Sequence, residues 1–109
     1  MDCGERSLKP GPTGEHIFAA IRVAGRVQGV GYRYYAYQIA RRLELNGWVA
    51  NASDGAVILE VEGLRGAVSE LLTELRRGPV TARVAELRVE EGIYQGRFAS
   101  FRIEPDRFG

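Results

Sequence analysis

Residues 17–51 read IFAAIRVAGRVQGVGYRYYAYQIARRLELNGWVAN, and a change of period inside this stretch decides the fold. At its start Ile17, Ala19, Ile21 and Val23 alternate with Phe18, Ala20, Arg22 and Ala24. Both sets are largely apolar, which predicts a central strand covered on much of both faces. From about residue 32 to residue 45 the period lengthens. Ala36, Ile39, Ala40 and Leu43 stand at i, i+3, i+4 and i+7, the apolar stripe of a helix. Asn46-Gly47 is the expected stop, since both residues tolerate the left-handed conformation that ends helices. Residues 48–51 read as a short second strand. A helical crossover makes the two strands parallel.

Downstream, Ser53-Asp54-Gly55 predicts a hairpin turn. Val57, Leu59 and Val61 then alternate with Ile58, Glu60 and Glu62, giving a third strand with one core face and one wetter face. A second helix is expected over residues 66–77, where Val68, Leu71, Leu72 and Leu75 repeat the helical spacing before Gly78-Pro79. Residues 83–90 form the fourth strand, with Ala85, Leu87 and Val89 inward and Val84, Glu86 and Arg88 outward. A loop carrying Gly92 and Gly96 leads to a short last strand over residues 98–103. The order β-α-β-β-α-β with an extra C-terminal strand predicts an α+β, ferredoxin-like two-layer sandwich. Its sheet is antiparallel-dominated, with both helices on one face. Upstream, Gly4, Pro10, Gly11, Pro12 and Gly14 break any periodicity. Residues 1–15 are therefore expected to be a flexible leader, and residues 16–109 a single domain.

The composition narrows the function. A chain of 109 residues with 45% hydrophobic residues can bury one core. A formal net charge of +1 argues against a dedicated nucleic-acid binder. The single cysteine, Cys3, can form neither an internal disulfide nor a cysteine-based metal site, and points to reducing cytoplasm. No apolar run is long enough to span a membrane. No His/Asp/Glu cluster has metal-ligand spacing. The one histidine, His16, is expected as an exposed strand-start residue.

The chemistry is expected in the stretch Gly25-Arg26-Val27-Gln28-Gly29-Val30-Gly31-Tyr32-Arg33, between strand and helix. Glycines let the backbone turn sharply and come close to a ligand. The following helix directs free amides and its positive end at the loop, so the loop can cradle an anion. Arg33 adds a planar fork of donors matched to two phosphate oxygens. Glycine count alone leaves open a plain tight turn with a surface arginine. The loop lacks the Gly-Lys-Ser/Thr ending of a nucleotide P-loop and the Gly-x-Gly-x-x-Gly spacing of a dinucleotide site.

Together with Gly47-Trp48-Val49-Ala50-Asn51, this loop resembles the two signatures of the acylphosphatase family. The family pattern is Gly-Arg-Val-Gln-Gly-Val-x-aromatic-Arg, then Gly-Trp-Val-x-Asn about a helix later. Weaker agreement continues through Asp54-Gly55, Gly78-Pro79, Ala82-Arg83-Val84 and Phe98-x-x-Phe101-x-Ile103, so the resemblance covers about residues 17–103. It implies hydrolysis of the carboxyl–phosphate bond of acyl phosphates by an oriented water, without metal or cofactor. It also implies Arg33 as the phosphate-binding arginine and Asn51 as the residue that orients the water. The amides of Gln28, Gly29, Val30, Gly31, Tyr32 and Arg33 would hold the phosphate oxygens. Inorganic phosphate is expected as product and inhibitor, and the protein as a monomer without nucleic-acid or membrane partners. Many members carry Thr after the Asn; here it is Ala52.

The expected topology agrees with this assignment. The antiparallel third strand sits between strands one and two, whose C-terminal ends share one sheet edge. Two steps of ~4.8 Å put the glycine loop and Asn51 roughly 10 Å apart at the backbone. Without the resemblance, Asn51 reads as a turn residue entering the hairpin.

Other features weigh less. Tyr34, Tyr37 and Arg41 share a helix face and are expected as amphipathic surface rather than a base-stacking platform. Trp48, Phe98 and Phe101 are expected as packing. An RNA-recognition module of this shape would need stacking aromatics on its middle strands, where Ile58, Glu60 and Glu62 stand instead. A regulatory ligand-binding domain is usually attached to an enzyme. A domain of the hydrogenase-maturation carbamoyltransferase would be followed by cysteine-rich zinc motifs, and none occur here.

Overall fold

A computed structural model describes residues 14–107. The elements are β1 (His16–Arg26), α1 (Tyr32–Arg42), β2 (Asn46–Asn51), β3 (Val57–Leu64), α2 (Arg65–Arg77), β4 (Arg83–Ile93) and β5 (Phe101–Ile103). The strands form one sheet in the order β4-β1-β3-β2-β5. β3 runs antiparallel to β1 and β2, and β4 antiparallel to β1; β5 alone pairs in parallel, with β2. This is the expected ferredoxin-like sandwich with a short added strand.

The core forms because the two periods meet on one face. Ile17, Ala19, Ile21 and Val23 of β1, Val49 of β2, and Val57, Leu59 and Val61 of β3 are buried. They pack with Ala36, Ile39 and Ala40 of α1 and Val68, Leu71 and Leu75 of α2. Each valine, leucine or isoleucine so buried contributes about 1.5–3 kcal/mol. α1 lies over β2 and β5, and α2 over β1, β3 and β4.

Most of the expected leader, residues 1–13, lies outside the described residues, as do residues 108 and 109 at the other end. Glu15, the last residue of that leader, is tied to the domain. Its carbonyl accepts from the Arg65 amide at 2.7 Å, and its carboxylate from Arg65 Nε at 3.0 Å.

Several local expectations are corrected. α1 ends at Arg42, short of residue 45, and the left-handed residue is Glu44, at φ 60°, rather than Asn46-Gly47. The Leu45 amide bonds back to the Ala40 carbonyl at 2.9 Å and the Glu44 amide to the Arg41 carbonyl at 3.1 Å. This is a Schellman end, and burial of Leu45 offsets the cost of a left-handed glutamate. Gly47 already belongs to β2. It has φ 145°, and a Cβ there would lie 1.8 Å from the Glu60 carbonyl oxygen. β4 extends to Ile93, and its inward set is not Ala85, Leu87 and Val89. The register with β1 slips between Ala24 and Gly25, so Gly25 faces Val84 while Ala24 faces Glu86. The bulged Ala85 breaks the two-residue alternation. Val84 consequently packs on the core in place of Ala85, beside Leu87, which faces inward as expected; Val89 opposes Ile21 on the same face but is exposed. The last strand begins at Phe101, not residue 98.

The sheet face opposite the helices also departs from expectation. Glu62 is buried, and its carboxylate accepts the amides of Gln95 and Arg97, each at 2.8 Å. That draws the loop before β5 over this face, where the Arg97 guanidinium sits 4.8 Å from the Phe18 ring. Trp48 is not in the core. It is half-buried on the same open face, with the Arg107 guanidinium 4.1 Å from its ring centre. Phe101 is buried and Phe98 half-buried. His16 is exposed at the start of β1, its ring against Tyr94.

Candidate active site

Register brings the two signatures to one edge. Val57, the first residue of β3, pairs with Val23 of β1 on one side and Asn51 of β2 on the other. Directly opposed residues of antiparallel strands face the same way. Asn51 therefore points to the helix face, one position beyond Val49 on the core side. The glycine loop leaves β1 at this same edge, and α1 begins here. Two strand spacings separate Val23 from Asn51, about 10 Å at ~4.8 Å each.

The loop is shaped by two left-handed glycines. Gly29 has φ 74° and Gly31 φ 81°, and a Cβ at either would meet nothing within 4 Å. The space beside this backbone is open. Gly31 is the N-cap of α1, and no side chain caps the helix. The first helical bond comes from the Tyr35 amide to the Gly31 carbonyl. The preceding amides of the first turn have no intrahelical acceptor, and no acidic residue occupies that turn. This arrangement favours an anion.

The loop is held in place from below. Val27 is buried, and the Val30 carbonyl accepts the Thr81 hydroxyl at 2.7 Å. Tyr32 is buried and donates its hydroxyl to the Leu75 carbonyl at 2.6 Å, fastening the start of α1 to the end of α2. Burial first, and the neighbouring Tyr35 second, raise the Tyr32 phenol far above its ordinary range, so it remains a neutral donor. Tyr35 donates to the Glu74 carbonyl at 2.9 Å, and its phenol is raised by burial and then by its bond to the Glu74 carboxylate.

Arg33 projects from this first turn, half-exposed, with Nη1 3.7 Å from Asp106 Oδ1. It lines a hollow with Val27, Gly29, Gly31, Tyr34 and Ile103. Asn51 is buried, and its Oδ1 has no hydrogen-bond partner among the described residues. A buried acceptor without a partner is uncommon and marks Asn51 as a residue held for something other than packing. The Asn51 carbonyl is fixed by the Arg107 amide at 2.7 Å. Beyond Asn51 the hairpin closes through the Ala52 amide and Ala56 carbonyl, with Gly55 at φ 97°. Ala52 is buried and has no hydroxyl to offer Asn51, so the departure at this position removes a donor.

The residues named from sequence, Gln28, Gly29, Val30, Gly31, Tyr32, Arg33 and Asn51, thus gather at one edge. Asp106, Arg107 and Thr81, and the side chain of Gln28, were not anticipated. Their proximity depends on distant segments meeting, and no local pattern marks it. A broader hollow lies on the open sheet face, lined by Ala20, Arg22, Trp48, Ile58, Glu60 and Arg88. Its arginines are engaged, Arg22 with Asp54 and Arg88 with Glu86, and neither signature contributes its site residues there. The bond to Arg22 is the chief reason the Asp54 carboxyl lies below its ordinary range. Among the described residues no three His, Cys, Asp or Glu side chains are grouped to hold a metal ion. No helix among them is long and apolar enough to cross a membrane.

The family model for Acylphosphatase matches residues 19–103. An acylphosphatase of Syntrophotalea carbinolica is 45% identical over 87 residues, covering 80% of this chain and 95% of that protein. One from Salinibacter ruber is 43% identical over 91 residues, covering 84% and 96%. The crystal structure of the Bacillus subtilis acylphosphatase superposes with a TM-score of 0.78 at 33% identity, covering 81% of this chain and 98% of that one.

Proposed function

The chain belongs to the acylphosphatase family and hydrolyses acyl phosphates, and we propose that a water held by Asn51 attacks a phosphoryl group held by residues 28–33 and Arg33. The observation that carries this reading is the pairing, at one sheet edge, of an uncapped helix start bearing Arg33 with the buried, unpartnered Asn51 Oδ1. The amides of Gln28, Gly29, Val30, Gly31, Tyr32 and Arg33 supply donors to the phosphoryl oxygens. The Arg33 guanidinium adds a two-pronged contact and a permanent charge. Asn51 Oδ1 accepts one water proton and aims the water oxygen at phosphorus.

In the reaction the water oxygen bonds to phosphorus as the bond from phosphorus to the acyl oxygen breaks. The bonding pair leaves with the carboxylate. The water proton passes to a phosphoryl oxygen, so the products are carboxylate and inorganic phosphate. A carboxylate is a weak base and needs no general acid to leave. Catalysis therefore rests on positioning and charge stabilisation, which amides, one arginine and one asparagine can supply. None of these groups requires a metal or organic cofactor. Inorganic phosphate, as product, competes for the same cradle. Only the phosphoryl end is closely specified. We further propose a cytoplasmic monomer, in keeping with one cysteine and a small, nearly neutral domain.

Hydrolysis of benzoyl phosphate in oxygen-18 water tests the mechanism. Label is expected in inorganic phosphate. Label in benzoate would place attack at the acyl carbon. Covalent phosphate surviving an acid quench would replace direct attack with a phosphoenzyme.

A further inference from the structure

The Gln28 side chain leaves the phosphate loop and ends on the neck of the other signature. Its Nε2 donates to the Ala52 carbonyl at 2.7 Å and to the Ala56 carbonyl at 2.8 Å. These are its two available protons, and both are used. The two acceptors are the residues that close the β2–β3 hairpin, where the Ala52 amide also bonds to the Ala56 carbonyl. Ala52 follows Asn51 directly, and both alanines are buried. We propose that the Gln28 side chain is a positioning residue, setting the height and tilt of Asn51 against the phosphate that the loop holds.

The loop belongs to the β1–α1 connection and Asn51 to the β2–β3 hairpin. Attack geometry depends on the distance between these two units. A misplacement of about 1 Å can cost on the order of 10²-fold in rate. The Asn51 peptide is held on one side by the Arg107 amide and, one residue on, by Gln28. With its backbone fixed at both places, the unpartnered Oδ1 has a defined direction. A glutamine suits this work because one amide group offers two donors to two nearby carbonyls, whereas a carboxylate would repel both. The backbone amide of Gln28 remains free to serve the cradle. One residue thereby meets the phosphoryl group through its main chain and the water-holding hairpin through its side chain.

This inference rests on the water-orienting role of Asn51, and the experiment separates the two. Gln28→Met keeps length but lacks donors, while Gln28→Asn keeps the amide but falls one methylene short. Turnover of benzoyl phosphate, competitive inhibition by inorganic phosphate, and the melting temperature with and without phosphate are measured for each. The same measurements are made on Asn51→Ala and on the double variants. Either Gln28 variant should lower kcat by about 10-fold or more, while the inhibition constant for phosphate moves less than about 3-fold. In the Asn51→Ala background the same change should remove less than about 2-fold, because its target is gone. A merely structural brace would lower the melting temperature without this non-additivity.

Losses that multiply in the double variants would overturn the proposal. So would wild-type kcat in both single variants, or phosphate inhibition weakened as much as kcat. Wild-type turnover in Asn51→Ala would instead remove the role of Asn51, and this proposal with it. If Gln28→Met does not fold, the Gln28→Asn comparison decides alone.

Discussion

The guanidinium of Arg33 stands 3.7 Å from the carboxylate of Asp106, a residue of the segment that follows β5. That segment runs beside β2, with the Glu104 amide on the Val49 carbonyl and the Arg107 amide on that of Asn51. Its course brings an acid to the arginine assigned to phosphate. A bound phosphate and Asp106 would compete for the same fork and repel each other. Arg33 is half-exposed and Asp106 largely exposed, so the pair is worth at most roughly 0.2–1 kcal/mol. Asp106→Asn should accordingly lower the inhibition constant for inorganic phosphate by about 2- to 5-fold. Unchanged or weaker inhibition would show that Asp106 does not oppose the anion.

Arg33 itself should matter to both binding and chemistry. Arg33→Ala should weaken phosphate inhibition and lower kcat on the order of 10²-fold or more. Arg33→Lys should recover little, since one ammonium cannot reproduce a planar two-pronged contact. Steady-state kinetics with phosphate titration check this. Near-complete rescue by lysine would reduce the arginine to a point charge.

Asn51 should separate from Arg33 in kind. Asn51→Ala should lower kcat by about 10²-fold or more while phosphate inhibition changes little. The fold should survive, because removing a buried acceptor without a partner leaves no donor stranded. Circular dichroism and kinetics on the purified variant decide. Wild-type turnover would refute the water-orienting role.

Activity should persist in excess chelator. The proposed site offers main-chain amides, a guanidinium and a carboxamide, a donor set built for an anion and a water rather than a divalent cation. Hydrolysis is measured before and after chelation, then with magnesium or zinc restored. Loss in chelator with recovery on one metal would contradict the expectation.

Gly47 should be among the least replaceable positions for stability. A Cβ there would lie 1.8 Å from the Glu60 carbonyl oxygen and 2.8 Å from its carbon, at φ 145°. Gly47→Ala must push β2 from β3 or leave its own conformation, at a cost of about 2–3 kcal/mol or more. Urea unfolding measures this directly. A cost within ~0.5 kcal/mol would mean that the strands yield easily.

Sequence by itself determined the alternation of β1, the stripes of both helices and the order of the elements, because these depend on spacing along one segment. It also determined which residues carry the two signatures. Arg33 and the loop glycines could be named because a loop before a helix meets an anion through its own backbone. Tertiary structure decided what depends on two segments meeting. Glu44 became the left-handed end of α1 because Leu45 had a core to enter. Ala85 became a bulge through the register of β4 against β1, which turned Val84 rather than Ala85 to the core. Trp48 went to the open face, where the Arg107 guanidinium covers it. Asn51 is a turn-like residue in isolation; the row from Val23 through Val57 sets it facing the helix side at the loop's edge. Gln28 and Asp106 reach their partners only across folded distance, 24 residues separating Gln28 from Ala52. Local periodicity carries no record of such contacts, because register, loop closure and strand order create them after the elements have formed.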